Sequence, residues 1–273
     1  MTDQRSEDAM PRHARQPSWA RPDAPLDGIS HTAPVFEMVS HDAELAALFR
    51  RYATRVSAGR DVVQEGAEAG SVIWVASGWI AASKLLSDGR RQIVDIAASG
   101  ELLEYLGADG LLSMSDVTAL TDTEAAIFPK SVFDRRCEDQ AEMAELVEQL
   151  RAATRARRSQ RLLYLGRGTA RERISNALVE LAVRARNVSA NDVGSLQIPL
   201  QQKDIGDLVG LSAVHVCRTL RQLSRSGLLD TADTGVVIHD LPALAEICEI
   251  DLEQHIASIT LGHGPEVKAD TSH

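Results

Sequence analysis

Two short amphipathic segments joined by a glycine, with a hairpin signal directly behind them, constrain this chain more than any other feature. Asp204-Ile205-Gly206-Asp207-Leu208-Val209 reads as a short helix with Ile205, Leu208 and Val209 turned inward. Gly210 follows where a helix ends in a left-handed residue, a conformation that glycine adopts without steric cost. Ser212 can cap the next helix. There, Val216, Leu220 and Leu223 step by 4 and 3 and form a core stripe. Val214, Arg218, Arg221 and Arg225 fall on the opposite side. Gly206 leaves room for the second helix to cross closely over it. Past Gly227 come Leu228-Leu229, the polar turn Asp233-Thr234-Gly235, and Val236-Val237-Ile238, which together predict a hairpin. Helix, glycine turn, capped helix and hairpin make the pattern of a winged helix-turn-helix.

An arginine face taken alone is most often a solvated surface. Here three guanidinium forks share one face of a helix in a setting that suits insertion into a groove, and such forks match guanine edges and phosphates. The net charge of −10 speaks against a polyanion partner at first sight. The distribution reverses that reading. Residues 151–230 hold 14 Arg and Lys against 6 Asp and Glu, while the rest of the chain holds 15 against 33. A basic segment inside an acidic chain can meet DNA while the acidic remainder weakens non-specific adhesion.

The rest of the chain divides by composition. Residues 1–32 are rich in Pro, Arg, Asp and Ser without periodicity and are expected to form a disordered arm. Asp42 is a plausible N-cap for a short helix carrying Leu45, Leu48, Phe49 and Tyr52. Apolar runs then alternate with glycines: 72–76, 79–82, 93–96, 117–120 and 124–128. Ser87-Asp88-Gly89-Arg90 between two of them is a hairpin turn signal. This pattern predicts an antiparallel sandwich or barrel. From about Val132 the period becomes helical. Met143, Leu146, Leu150 and Ala153 step by 3, 4 and 3, a short heptad-like seam in surroundings that turn basic at Arg151, Arg155, Arg157, Arg158 and Arg161. The seam alone fits either a face packed on its own domain or a dimer helix. A second helix, Thr169 to Arg186, carries Ile174, Leu178, Leu181 and Ala182 on one face. The tail 258–273 is polar and expected to be flexible.

On these residues the chain resembles the Crp/Fnr family of bacterial transcription regulators over most of 41–250. The elements that carry the resemblance are Ser77-Gly78-Trp79, the run Leu85 to Ile93, Gly100-Glu101, Leu165-Gly166-Arg167 with Ala170-Arg171-Glu172-Arg173, and the gapless stretch Val209 to Leu220. The resemblance implies an α+β chain. Its parts would be an antiparallel, jelly-roll-like β-roll sensor over 33–136, a long dimerisation helix over 137–166 using Met143, Leu146, Leu150 and Ala153, and a winged helix-turn-helix over 167–257. It implies a homodimer on an inverted-repeat site in double-stranded DNA, and an RNA polymerase contact if the protein activates. The positions matched to DNA contact are Gln201, Ser212, Ala213, Val214, His215, Cys217, Arg218 and Arg221. Arg218 matches the guanine reader, while Gln201, Ser212 and His215 fit phosphates.

Three departures stand out. Val214 occupies a place where many members carry a base-reading Glu; a valine cannot accept from cytosine but can touch a thymine methyl. Ala213 removes a further arginine found in some members. Cys217 is expected to be a small packing residue, with oxidation of a thiol beside Arg218 as the sharper alternative.

The sensor is expected to hold no cofactor. The stretch Leu111 to Val117 has no arginine for a cyclic-nucleotide phosphate, and Asp116 would repel one. Cys137, Cys217 and Cys248 are too few and too scattered for an iron–sulfur cluster or a disulfide scaffold. No histidine lies between His41 and His215 to bind haem or a metal in the roll. Trp74, Trp79 and Tyr105 could line an apolar pocket, with core packing the blander role for the tryptophans. Glu101 and Glu104 have acid/base spacing, but no nucleophile, phosphate loop or metal motif accompanies them, so an enzyme is not expected. A β-roll small-molecule binder or enzyme with a structural C-terminal domain is the rival reading. With no secretory signal and no run of about 18 apolar residues, the expected compartment is the cytoplasm, away from membranes.

Overall fold

The computed structural model describes residues 42–64, 66, 71–104, 113, 115–186 and 195–259. The arm at 1–32 falls outside them, as does the tail beyond Ile259. The chain forms two compact units, Met1–Val147 and Glu148–His273.

Among the described residues the first unit begins with α1 (Ala43–Arg51), capped as expected by Asp42, whose carboxylate accepts from Glu44 N and Leu45 N at 2.9 Å each. Eight strands follow among the described residues: β1 (Ala53–Val56), β2 (Asp61–Val63), β3 (Ser71–Ser77), β4 (Trp79–Leu85), β5 (Arg91–Ala98), β6 (Leu102–Glu104), β7 (Asp116–Ala119) and β8 (Thr123–Pro129). They make two antiparallel four-stranded sheets, ordered β1-β8-β3-β6 and β2-β7-β4-β5. Ile73 and Val75 of one sheet and Ile80, Ala82, Val117 and Ala119 of the other share a single core cluster. Trp74, at the alternate register, is fully buried and meets Phe49 edge-on at 4.7 Å. It is therefore a core residue, as is Trp79; Tyr105 lies outside the described residues. Glu101 is a turn residue, its carboxylate accepting from Ala98 N at 2.8 Å.

The helical region, expected from about Val132, begins at Lys130 and has a break: α2 (Lys130–Asp139) is separated from α3 (Ala141–Arg167) by Gln140, which is extended at φ −131°, ψ 105°. Gln140 Nε2 donates to Asp42 at 2.6 Å, and Arg136 reaches both Asp42 and Glu44 at 3.3 Å, so the break is tied to the cap of α1. The boundary between the two units falls inside α3.

The second unit adds α4 (Ala170–Arg186), β9 (Leu196–Ile198), α5 (Gln202–Val209), α6 (Ala213–Arg225), β10 (Leu229–Ala232), β11 (Gly235–Ile238), α7 (Leu241–Ile247) and α8 (Leu252–Ile259). A reciprocal cap starts α4: Glu172 N donates to Thr169 Oγ1 at 3.3 Å, and Thr169 N to Glu172 Oε2 at 2.7 Å. The core joins Ile174, Leu178 and Leu181 of α4 with Ile205, Leu208, Val216, Leu220 and Leu223, all buried. Each such side chain contributes roughly 1.5–3 kcal/mol on burial.

The structure also buries charge in this unit. Arg161 of α3 and Arg184 of α4 both donate to Glu180 Oε1 at 2.7 Å, and the three side chains are 6%, 2% and 3% exposed. Burial alone would raise the Glu180 pKa. The guanidinium groups of Arg161, Arg184 and Arg157 outweigh it and hold the carboxyl below its usual range. This tie joins the second half of α3 to α4 within the second unit, which runs from Glu148.

Candidate nucleic-acid interface

The turn between α5 and α6 forms as its sequence dictates. Gly210 ends α5 in the left-handed region at φ 65°, ψ 38°. A Cβ on Gly206 would sit 2.9 Å from Leu211 O and 3.4 Å from Val216 Cγ2, so only glycine lets the turn and α6 cross this closely. Ser212 occupies the cap position of α6, but its hydroxyl makes no cap bond and instead lies 3.0 Å from His215 Nδ1. The first backbone N–H groups of α6 therefore stay open to an outside acceptor, a favourable place for a phosphate oxygen.

With Val216, Thr219, Leu220 and Leu223 buried beneath it, α6 presents its other face to solvent. Ala213, Val214, Cys217, Arg218 and Arg221 line one open groove of ≈ 610 Å³, together with Gln202, Gln222 and Arg225. Arg218, Arg221 and Arg225 are exposed, and none makes an ion pair or hydrogen bond among the described residues. Val214 is 67% exposed; Cys217 is half-buried. Gln201, Ser212 and His215 are exposed and lie outside the groove lining. Arg225 was read on the arginine face but not matched to DNA contact, and Gln202 and Gln222 were not expected there. Gln222 follows Arg218 by four, the spacing that would have found it.

Behind α6 the expected hairpin is present. β10 pairs with β11 from Leu229↔Ile238 to Ala232↔Gly235, and β9 adds a third strand. Asp230 accepts from Ser224 at 3.2 Å and lies 3.0 Å from His239 Nε2; these two partners lower its pKa, the histidine first. No Lys or Arg occurs between Arg225 and Lys268, so the wing adds no lysine or arginine to this surface.

On α3, Met143 and Ala153 keep only 4% and 6% exposure, and Leu146 and Leu150 are half-buried. Two of the four expected seam residues are thus already covered within the chain. The exposed large apolar side chains of α3 are Leu162 (71%) and Leu163 (55%), with Ala152, Ala156 and Ser159 exposed at heptad spacing before them. Of the segment where a cyclic-nucleotide phosphate would bind, Leu111, Leu112 and Met114 lie outside the described residues; Ser113 and Ser115 are buried.

A two-sheet antiparallel roll followed by a winged helix-turn-helix with a free arginine face defines a DNA-binding regulator. Residues 53–140 match the cyclic nucleotide-binding domain and residues 172–247 the Crp-like helix-turn-helix domain. FixK, a nitrogen fixation regulation protein of Azorhizobium caulinodans, is 30% identical over 178 residues, 65% of this chain and 71% of that protein. The transcriptional activator FnrA of Stutzerimonas stutzeri is 30% identical over 187 residues, 67% of this chain and 74% of that protein. The solved structure of FixK2 from Bradyrhizobium japonicum aligns with a TM-score of 0.61 at 26% identity, over 71% of this chain and 96% of that one. The chain belongs to the Crp/Fnr family of transcription regulators; its relatives are regulators, not enzymes. Among the described residues no helix is long and apolar enough to cross a membrane.

Proposed function

We propose that this regulator works in the cytoplasm as a homodimer on an inverted-repeat promoter site, with two copies of α6 entering successive major grooves about 34 Å apart. The observation that carries the reading is the groove of α6, where three unpaired arginines surround an apolar strip. Arg218 reads guanine; Arg221 and Arg225 serve guanine or phosphate; Gln201, Ser212 and His215 hold the backbone. The dimer forms along the exposed side of α3, where Ala152, Ala156, Ser159 and Leu163 step by 4, 3 and 4. The roll acts on α6 through α3 and uses neither cyclic AMP, an iron–sulfur cluster nor haem, in keeping with the missing arginine, cysteines and histidines. An RNA polymerase contact follows if the protein activates.

The test is selection of bound duplexes from a random DNA pool, with wild type and Arg218→Ala side by side at fixed salt. Enrichment of one inverted repeat, lost in the variant, is expected. Equal, sequence-blind binding by both proteins overturns the reading. Cys217 lines the same groove, so its oxidation by hydrogen peroxide to a sulfenic acid would weaken binding. The Cys217→Ser protein should keep its affinity under the same treatment.

A further inference from the structure

The groove of α6 has a specific chemical bias. Its lining offers three guanidinium groups, two side-chain amides and three small or apolar residues, and no carboxylate. Arginine selects guanine and a glutamine amide selects adenine, but a strong acceptor for the cytosine amine is missing. In its place Ala213, Val214 and Cys217 form a contiguous apolar strip. Val214 leaves two-thirds of its surface open, whereas the stripe beneath it is fully buried, so the open apolar surface faces the groove and not the core. In a major groove the apolar group available to such a strip is the C5 methyl of a pyrimidine. Val214 stands four residues before Arg218, about 6 Å along the helix, and at about 3.4 Å per base step this span corresponds to one or two base steps from the guanine that Arg218 reads.

We propose that Val214, backed by Ala213 and Cys217, determines half-site specificity by reading a thymine C5 methyl beside the guanine contacted by Arg218. The inference rests on the DNA-binding reading above. A protein that reads this methyl through van der Waals contact treats thymine and uracil as different bases, although their hydrogen-bonding edges are the same.

The experiment uses the enriched inverted repeat and replaces each thymine of the half-site in turn by uracil. Binding of the full-length protein is measured by fluorescence anisotropy at fixed salt. One position should weaken wild type about fourfold per half-site, the effect of one buried methyl(ene). 5-Bromouracil, with a substituent of similar size, should restore it. Val214→Ser should bind the thymine and uracil duplexes alike while still discriminating at the guanine. The variant sits on an exposed position, so its fold is expected to survive, and an unchanged melting temperature checks this. Indifference of wild type to uracil at every thymine overturns methyl reading and leaves the regulator reading intact. A uracil penalty that persists in Val214→Ser overturns the assignment to Val214. Absence of any enriched repeat removes both readings together.

Discussion

Arg218, Arg221 and Arg225 stand on the open side of α6 with no partner among the described residues, whereas Arg157, Arg161 and Arg184 are buried around one carboxylate, Glu180. The residue type is the same and the environments are opposite. A buried guanidinium has lost its water and needs a partner inside the protein, so it fixes geometry. An exposed one keeps its water until a phosphate or a guanine replaces it, so it remains available for recognition. The buried set ties α3 to α4 within the second unit, and the exposed set is carried on a helix packed against the same α4 core.

The contrast predicts effects in different observables. The largest is at Glu180. Glu180→Ala leaves buried guanidinium groups without their carboxylate and should cost about 3–5 kcal/mol of stability, read as a lower unfolding midpoint in denaturant. A loss below about 1 kcal/mol would mean that water reaches these arginines, and the buried/exposed distinction would fall. Next comes Arg218→Ala. It should leave the unfolding midpoint unchanged and cost about 1–3 kcal/mol of discrimination at one base pair, measured on matched and mismatched duplexes. Equal weakening on both duplexes would make Arg218 a phosphate contact only.

The two sets were not equally legible in the sequence. The recognition surface follows from local rules: the stripe Val216, Leu220, Leu223 fixes which side of α6 is buried, and the remainder of the face follows by helical spacing. The buried set could not be read in this way. Arg157 and Arg161 occur in a basic run that looks solvated, and their burial depends on Glu180, 19 residues beyond Arg161 and on another helix. The same division holds elsewhere. β3, β4, β5 and β8, seven or eight residues long, announced themselves as apolar runs, while β1, β2, β6 and β9, of three or four residues, are too short to show a period. The break at Gln140 carries no glycine or proline signal; Asp42, 98 residues earlier, holds it. The seam through Met143 and Ala153 had the right spacing, but spacing alone does not say whether a partner helix or the chain itself covers a stripe.

A smaller effect sharpens the comparison on the exposed side. Arg225 is a turn beyond Arg221 at the far end of the groove. Arg225→Ala should weaken binding to all sequences alike and reduce the slope of log K against log[salt] by about 1. A sequence-dependent loss with an unchanged slope would instead place Arg225 on a base edge.

The smallest effect is the pH dependence of the buried side. His255 of α8 is buried, and burial lowers its pKa below 6.5 while the Glu180 carboxylate pulls it the other way. The folded state therefore binds less proton at this ring than the unfolded state does as pH falls through 6.5, so stability declines on acidification from that point. Glu180, also depressed, adds a second decline only as pH falls below its unfolded value near 4.5. Unfolding midpoints measured between pH 7.5 and 5.5 should thus fall in wild type and in Arg218→Ala, whose change is on the surface. In His255→Gln, which cannot take up the proton, the slope over that window should flatten while the decline below pH 4.5 persists. A slope as steep as that of wild type would mean that His255 titrates alike in both states. The acid sensitivity would then have to come from groups outside the buried cluster.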